Sequence, residues 1–401
     1  MRPIKRLIQL DEALKLSFAK ARQITSEETV HLMQACGRVA SEEVTSRVSV
    51  PPFSRSAMDG YAVRAADTYG ASRMKPKHLE RREVVYAGSV PRKSVGKDEC
   101  CEIATGAMVP KGADAVIMVE DTEVDGRTVH VYGSVHPGQN ISKKGEDISP
   151  GTRILARGEL LNPSKVGALA AIGKDVVSVY SKPLVAVVPT GNEIAALGKA
   201  LKPGQVYNIN SYTLGSVVAA NGCEVRTLEI VGDTVKELER VVKDNSDCDM
   251  LVFSGGSSVG ERDVMLDVLE KHGEVVFHGI AIKPGKPTLF GTVGKQLVFG
   301  MPGYPTACLS NAYIILAPVL RRMAGLKEAS TRSVEARMAK RVVSTTGRTQ
   351  FLTVRLDGGV AEPAFKESGA ITSMAFADGY VVIPADVDLV EKDERVTVHL
   401  L

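Results

Sequence analysis

The sequence predicts a multidomain α/β plus β chain built around a doubly wound α/β domain. Three observations predict it. From about residue 182 to 326, continuous Val/Leu-rich runs alternate with stretches of helical periodicity. Outside that window, short alternating apolar/polar runs are separated by turn residues. The length of 401 residues exceeds what one ordinary hydrophobic core fills. Strands that are apolar without interruption suit a parallel sheet covered on both faces by helices.

Taken in order, residues 5–48 carry helical spacing, with Leu10, Leu14 and Phe18 followed by Val30, Met33 and Cys36 and a stop at Gly37. From "PPFSRSAMDGYAV" onward the chain turns β-rich. "AVIMVEDTEV-DG-RTVHVYG" predicts a hairpin in which Asp125-Gly126 supplies a type I′ turn. A helical connector is expected from Asn162 to Ile172. Within the α/β window, strands are expected at 184–188, 225–231 and 250–253, and helices at 211–220, 233–243 and 263–271. After about residue 330, "FLTVRL", "YVVIPA" and "RVTVHLL" with the Asp357-Gly358-Gly359 turn predict a small β-barrel-like domain. The expected domains are a helical/connector domain (1–49 and 146–180), an inserted β-rich domain (50–145), the α/β domain (181–327) and the terminal β domain (328–401).

Composition excludes several classes. The chain is 44% apolar and 24% charged, as soluble globular proteins are. A net charge of +3 with scattered basic residues, 5% aromatics and no Trp argue against nucleic-acid binding. No apolar run approaches a membrane span. Asp11 and Glu12 interrupt the N-terminal stretch before it can form a signal peptide. Cys36, Cys100, Cys101, Cys223, Cys248 and Cys308 lack C-x-x-C spacing, which fits reduced thiols in a cytoplasmic protein.

Ligands of open α/β sheets sit outside the carboxyl ends of the strands. The first strand ends in "PTGNE", which places Thr190, Gly191 and Glu193 there. The second ends at Asp233. The third ends in "FSGGSSVGERD", with Ser254, Gly255, Gly256, Ser257 and, at its exit, Asp263. Glu193, Asp233 and Asp263 together suit a hard cation such as Mg²⁺ bridging to phosphate, although Asp is also a favoured helix N-cap. "AIKPGKP" puts Lys283 and Lys286 on either side of a Pro-Gly bend, as an anionic ligand would want. "GMPGYP" contributes the stiff loop Pro302, Gly303 and Pro305, and Pro305 equally suits the start of a helix.

"GSSVG" also satisfies the G-x-S-x-G pattern of a hydrolase elbow, with Ser258 as nucleophile. The only histidines downstream are His272, His278 and His399, an unpromising supply for a triad. A glycine-rich loop whose N–H groups hold an oxyanion is the better reading. No G-x-G-x-x-G follows a strand, so a dinucleotide site is not expected.

In this order, "PPFSRSAMDGYAVR", "IATGAMVPKGADAVI", "GEDISPG", "PTGNEI", "FSGGSSVGERD", "AIKPGKP" and "GMPGYP" resemble the MoeA-type molybdenum insertases (molybdopterin molybdenumtransferases), the family of the gephyrin E domain. The resemblance spans nearly the whole chain. It implies a molybdopterin-binding α/β domain, and Mg²⁺-dependent insertion of molybdate or tungstate into adenylylated molybdopterin with release of AMP. It also implies a homodimer in which the β-rich domain of one subunit approaches the α/β domain of the other. Transient contact with the molybdopterin adenylyltransferase would follow from shared chemistry.

By the same resemblance Asp59, Thr105 and Asp147 join Asp233, Asp263 and Lys283 as catalytic residues, and Arg355 and Ser368 as cleft residues. From residues alone, Asp59 reads as a turn aspartate bonding its own backbone. Two departures stand out. Gly279 occupies a position that is often basic, with only His278 nearby, and Tyr304 replaces a small amide. The sister adenylyltransferases and a non-catalytic molybdopterin-binding scaffold are the alternatives. The additional matching segments disfavour the first, and the presence of Asp59, Asp233, Asp263 and Lys283 the second.

Overall fold

The structure, a computed structural model, describes residues 6–255, 264–327, 332–364 and 369–401. It divides into two compact units. One comprises residues 1–28, 37–39 and 179–401, and the other residues 29–36 and 40–178.

The first unit holds a six-stranded sheet in the order Glu224–Thr227, Leu184–Pro189, Met250–Ser254, Gln296–Met301, Leu289–Val293 and Glu274–His278. The first four strands are parallel, and the last two join antiparallel. Alternation along each strand explains the uninterrupted apolar runs. Val185, Val187, Met250, Val252 and Phe299 enter one buried cluster, whereas Ala186, Val188, Leu251, Phe253 and Val298 enter another on the opposite face. Helices Asn210–Ala220 and Ala317–Met323 cover the first face, and Val235–Asp244 and Val264–His272 the second. This is the doubly wound architecture.

Helix Leu10–Lys20 packs on the α/β sheet: Ala13, with Ala21 at its C-cap, is buried in the sheet's core, and the helix falls in the same compact unit. Its apolar stripe needs a face to cover, and the sheet supplies it. The second N-terminal helix differs from the expected one. Glu27–His31 is a strand and Leu32–Ala35 a single turn, with Met33 85% exposed.

Ser333–Met338, Thr349–Asp357, Val360–Pro363, Gly379–Ile383 and Arg395–Leu400 close into a five-stranded barrel. The two-residue strand Ile282–Lys283 adds to it in parallel, Lys283 opposite Gln350.

In the second unit a six-stranded mixed sheet runs Ala115–Met118, Gly60–Val63, Glu99–Ile103, Lys77–Val85, Thr128–Val131 and Thr122–Asp125. Cys100 and Cys101 are consecutive in a strand and enter clusters on opposite faces, so they cannot meet. Burial pushes their thiols up to about 12 and about 11. All six cysteines are free and all but Cys36 are buried.

The hairpin forms, but its turn is not the expected one. Asp125 pairs with Thr128, leaving Gly126-Arg127 as the loop, and Gly126 has φ 59°. Neither Asp125 nor Arg127 has a positive φ, so a type I′ turn is excluded.

Candidate functional site

The chain reverses direction across the sheet between Leu184–Pro189 and Met250–Ser254, which is where an open α/β sheet offers a crevice. Backbone bonds tie the carboxyl ends together there. The Thr190 N–H donates to the Ser254 carbonyl at 3.0 Å, and the Gly255 N–H to the Met301 carbonyl at 3.3 Å. Gly255 has φ 97°, and a Cβ there would collide with the Thr190 carbonyl oxygen. Only glycine lets these two segments come so close. A Cβ on Gly303 would lie 3.8 Å from the Gly255 Cα, so the "GMPGYP" loop reaches the same place. Pro302 is buried beside it, and Pro305 opens helix Pro305–Asn311.

Asn210 completes this corner and was not legible as a site residue. Its Nδ2 donates to the Gly303 carbonyl at 2.9 Å, while its buried Oδ1 has no hydrogen-bond partner. The residue is 8% exposed. In the sequence it is indistinguishable from a residue starting a helix.

Glu193 and Asp233 flank the next pair of strand ends. Thr190 bridges Val231, and the Gly191 N–H donates to the Val231 carbonyl at 3.4 Å, so each carboxylate follows a joined position by two residues. Asp233 is not the cap of the following helix. Thr234 is, its hydroxyl accepting from the Glu237 N–H at 3.3 Å. The capping explanation therefore fails for Asp233. Among the described residues no three His, Cys, Asp or Glu side chains are gathered as a metal cage. Gly256, Ser257, Ser258, Asp263 and Ser368 lie outside the described residues.

Lys283 is half-buried and donates from Nζ to Thr345 Oγ1 at 3.1 Å. Its peptide bond to Pro284 is cis. The following bend is held by Asn311, whose Nδ2 donates to the Gly285 carbonyl at 2.8 Å and to Thr288 Oγ1 at 2.6 Å. Among the described residues neither Lys283 nor Lys286 pairs with a carboxylate. Tyr304, the substitution noted in the sequence, is 67% exposed, and a Cβ on Gly369 would lie 3.8 Å from its ring.

In the β-rich unit the structure joins two motifs that the sequence keeps apart. Asp59 Oδ1 accepts from the Thr105 N–H at 2.7 Å, bringing "SAMDGY" to "ATGA". The aspartate thus bonds a segment 46 residues away and not its own turn. Asp147 is exposed, and its own N–H donates to the Val50 carbonyl at 3.0 Å. Arg355 is spent on another contact, its Nε donating to the Phe376 carbonyl at 3.0 Å, and no described bond brings it to the Gly255 corner.

Glycine-rich backbone and lysines without carboxylate partners, at the carboxyl edge of a doubly wound sheet, are the chemistry by which an α/β protein can hold an anion. Residues 8–173 match the MoeA N-terminal region (domain I and II), 186–322 a probable molybdopterin binding domain, and 335–401 the MoeA C-terminal region (domain IV). A putative molybdopterin biosynthesis protein of Methanocaldococcus jannaschii is 32% identical over 417 residues, covering 100% of both chains. The molybdopterin molybdenumtransferase of Haemophilus influenzae is 35% identical over 324 residues, covering 80% of this chain and 79% of its own. The solved structure of the molybdopterin biosynthesis MoeA protein of Pyrococcus horikoshii has a TM-score of 0.84 at 40% identity, covering 98% of this chain and 99% of that one. The chain belongs to the MoeA family of molybdopterin molybdenumtransferases. Among the described residues no helix is long and apolar enough to cross a membrane.

Proposed function

We propose that this chain is a molybdopterin molybdenumtransferase, acting in molybdenum cofactor biosynthesis by inserting the metal of molybdate or tungstate into adenylylated molybdopterin. The observation that carries this reading is the closed corner of Thr190, Ser254, Gly255 and Gly303, with the Lys283 bend on the same carboxyl side of the sheet, in a chain matched along its length by the family. Backbone N–H groups and lysine ammonium groups suit the phosphates of the pterin substrate and the oxyanion.

Mg²⁺ fits the donor chemistry at the neighbouring strand ends, where Glu193 and Asp233 offer hard oxygen ligands, with Asp263 as a third by sequence. When bound it would neutralise phosphate charge as the adenylyl phosphoanhydride is cleaved and AMP leaves. Lys283, steadied by Thr345, would hold the anion in place. Asp59 positions the Thr105 loop through its backbone bond. Thr190, Gly191, Lys286, Pro302 and Pro305 shape the pocket wall, with Gly256, Ser257, Arg355, Asp147 and Ser368 as further contacts by resemblance. The protein is read as a cytoplasmic homodimer with the cleft shared between subunits, receiving its substrate from the adenylyltransferase.

Purified protein incubated with adenylylated molybdopterin, Mg²⁺ and either oxyanion should release AMP and yield active cofactor. No AMP under any condition contradicts the reading. For the shared cleft, inactive D59A and K283A homodimers should regain activity when mixed and re-equilibrated. Failure of mixed dimers to regain it would place both residues in one subunit's site.

A further inference from the structure

The outer face of the β-rich sheet carries a row of groups that the proposed reaction does not use. Strand Lys77–Val85 sets His78 opposite His130 of strand Thr128–Val131. On the other side of that strand, Thr122–Asp125 sets Glu123 opposite the same His130. Alternation sends the intervening Leu79 and Val129 into the core and these three side chains outward. The Nδ1 atoms of the two histidines are 2.8 Å apart, and their rings stand nearly perpendicular, at 89° with centroids 4.7 Å apart. Glu123 accepts from the Tyr132 hydroxyl at 2.7 Å.

We propose that His78 and His130 form a binding site for a late first-row divalent cation such as Zn²⁺ or Cu²⁺, with Glu123 as a third ligand. Metal–nitrogen bonds of about 2.0–2.1 Å place two cis ligands about 2.9–3.3 Å apart, for angles between a right angle and the tetrahedral one. The imidazoles are already within a few tenths of an ångström of that spacing. Neutral imidazole is the preferred protein donor for both ions. Without metal one Nδ1–H donates to the other Nδ1; the ion takes the place of that hydrogen bond, and the displaced proton is carried on Nε2 of the same ring, so both imidazoles bind in their neutral form. Glu123 is exposed and gives up only the Tyr132 hydroxyl, so its rotation toward the pair is inexpensive. Because no cage of three such groups is preformed among the described residues, water fills the remaining positions. An ion held this way would clip the edge hairpin onto the Lys77–Val85 strand, and it would stabilise the folded chain by binding it alone.

The site is remote in sequence from Glu193, Asp233 and Lys283, and its test is independent of AMP release. Full-length protein loaded with Cu²⁺ is examined by electron paramagnetic resonance for the splitting of two nitrogen ligands. H78Q and H130Q, both on an outward face and checked for fold by circular dichroism, should each lose that two-nitrogen signature. Zn²⁺ should raise Tm and slow amide exchange in residues 122–131 of the unmodified chain, and do neither in the two variants. E123Q should keep the nitrogen signature while binding Zn²⁺ several-fold more weakly. A signature absent from the unmodified chain, or surviving in both histidine variants, overturns the site and leaves a histidine–histidine hydrogen bond only. Unchanged Zn²⁺ affinity in E123Q removes Glu123 from it.

Discussion

The two ends of the α/β sheet hold their lysines differently. At the amino end a broad groove of about 1040 Å³ is lined by Lys236, Arg240, Asp247, Asp249, Lys295 and Gln296. Its acidic groups are largely satisfied by neighbours, while Lys236, Lys243 and Lys295 pair with no carboxylate among the described residues. Arg226 forks onto Asp247 at 2.8 and 2.7 Å, Glu239 accepts from Lys271 and meets His272 Nε2, both at 2.7 Å, and Gln296 donates to the Asn245 and Cys248 carbonyls. At the carboxyl end there is close backbone packing, and Lys283 and Lys286 lack carboxylate partners among the described residues. A groove of that size does not by itself mark a binding site. What sets the carboxyl end apart is a half-buried lysine fixed by a neighbour, Lys283 on Thr345, with no counter-charge beside it.

The largest effect is expected from K283A, which should lower turnover by about 10²–10³-fold with the fold intact, as loss of a fixed charge-stabilising donor does. T345V should cost less, through a looser lysine. R240A and K295A at the other end should leave turnover unchanged; a comparable loss there would erase the distinction between the ends.

Next comes G255A. With φ at 97° and the Thr190 carbonyl in the way, it should destabilise the fold by about 1–3 kcal/mol, read as a lower Tm. An unchanged Tm would mean that the corner is not closely packed.

The smallest effect belongs to the amino end. Desolvation holds the Asp249 carboxyl above its usual pKa, against the Leu184 N–H donating to it at 2.8 Å. An acid with a raised folded pKa opposes folding once pH exceeds the unfolded value of about 3.9, and the opposition is complete above the folded value. D249N keeps an acceptor for Leu184 and removes the charge. It should raise Tm at neutral pH and have no such effect below about pH 3.

The strands were legible because burial on both faces demands runs such as "LVAVV" and "MLVF". Errors arose where adjacent residues compete for one local role. Thr234 takes the cap that Asp233 was eligible for, and Gly126 moves to the first loop position and shifts the turn. The helix at Leu10–Lys20 was legible, but its docking was not, because an amphipathic stripe does not name its partner. Asn210 and Thr345 were illegible for a further reason. Their contacts lie 93 and 62 residues away, and neither residue type is distinctive.

The most direct test of the carboxyl-end site is where the oxyanion binds. Crystals soaked in molybdate and in tungstate would be searched by anomalous diffraction at each metal's absorption edge. The predicted result is one strong peak beside Lys283 and the Gly255–Gly303 corner. A peak in the groove with Arg240, Lys236 and Lys295, and none at the carboxyl end, would contradict the account.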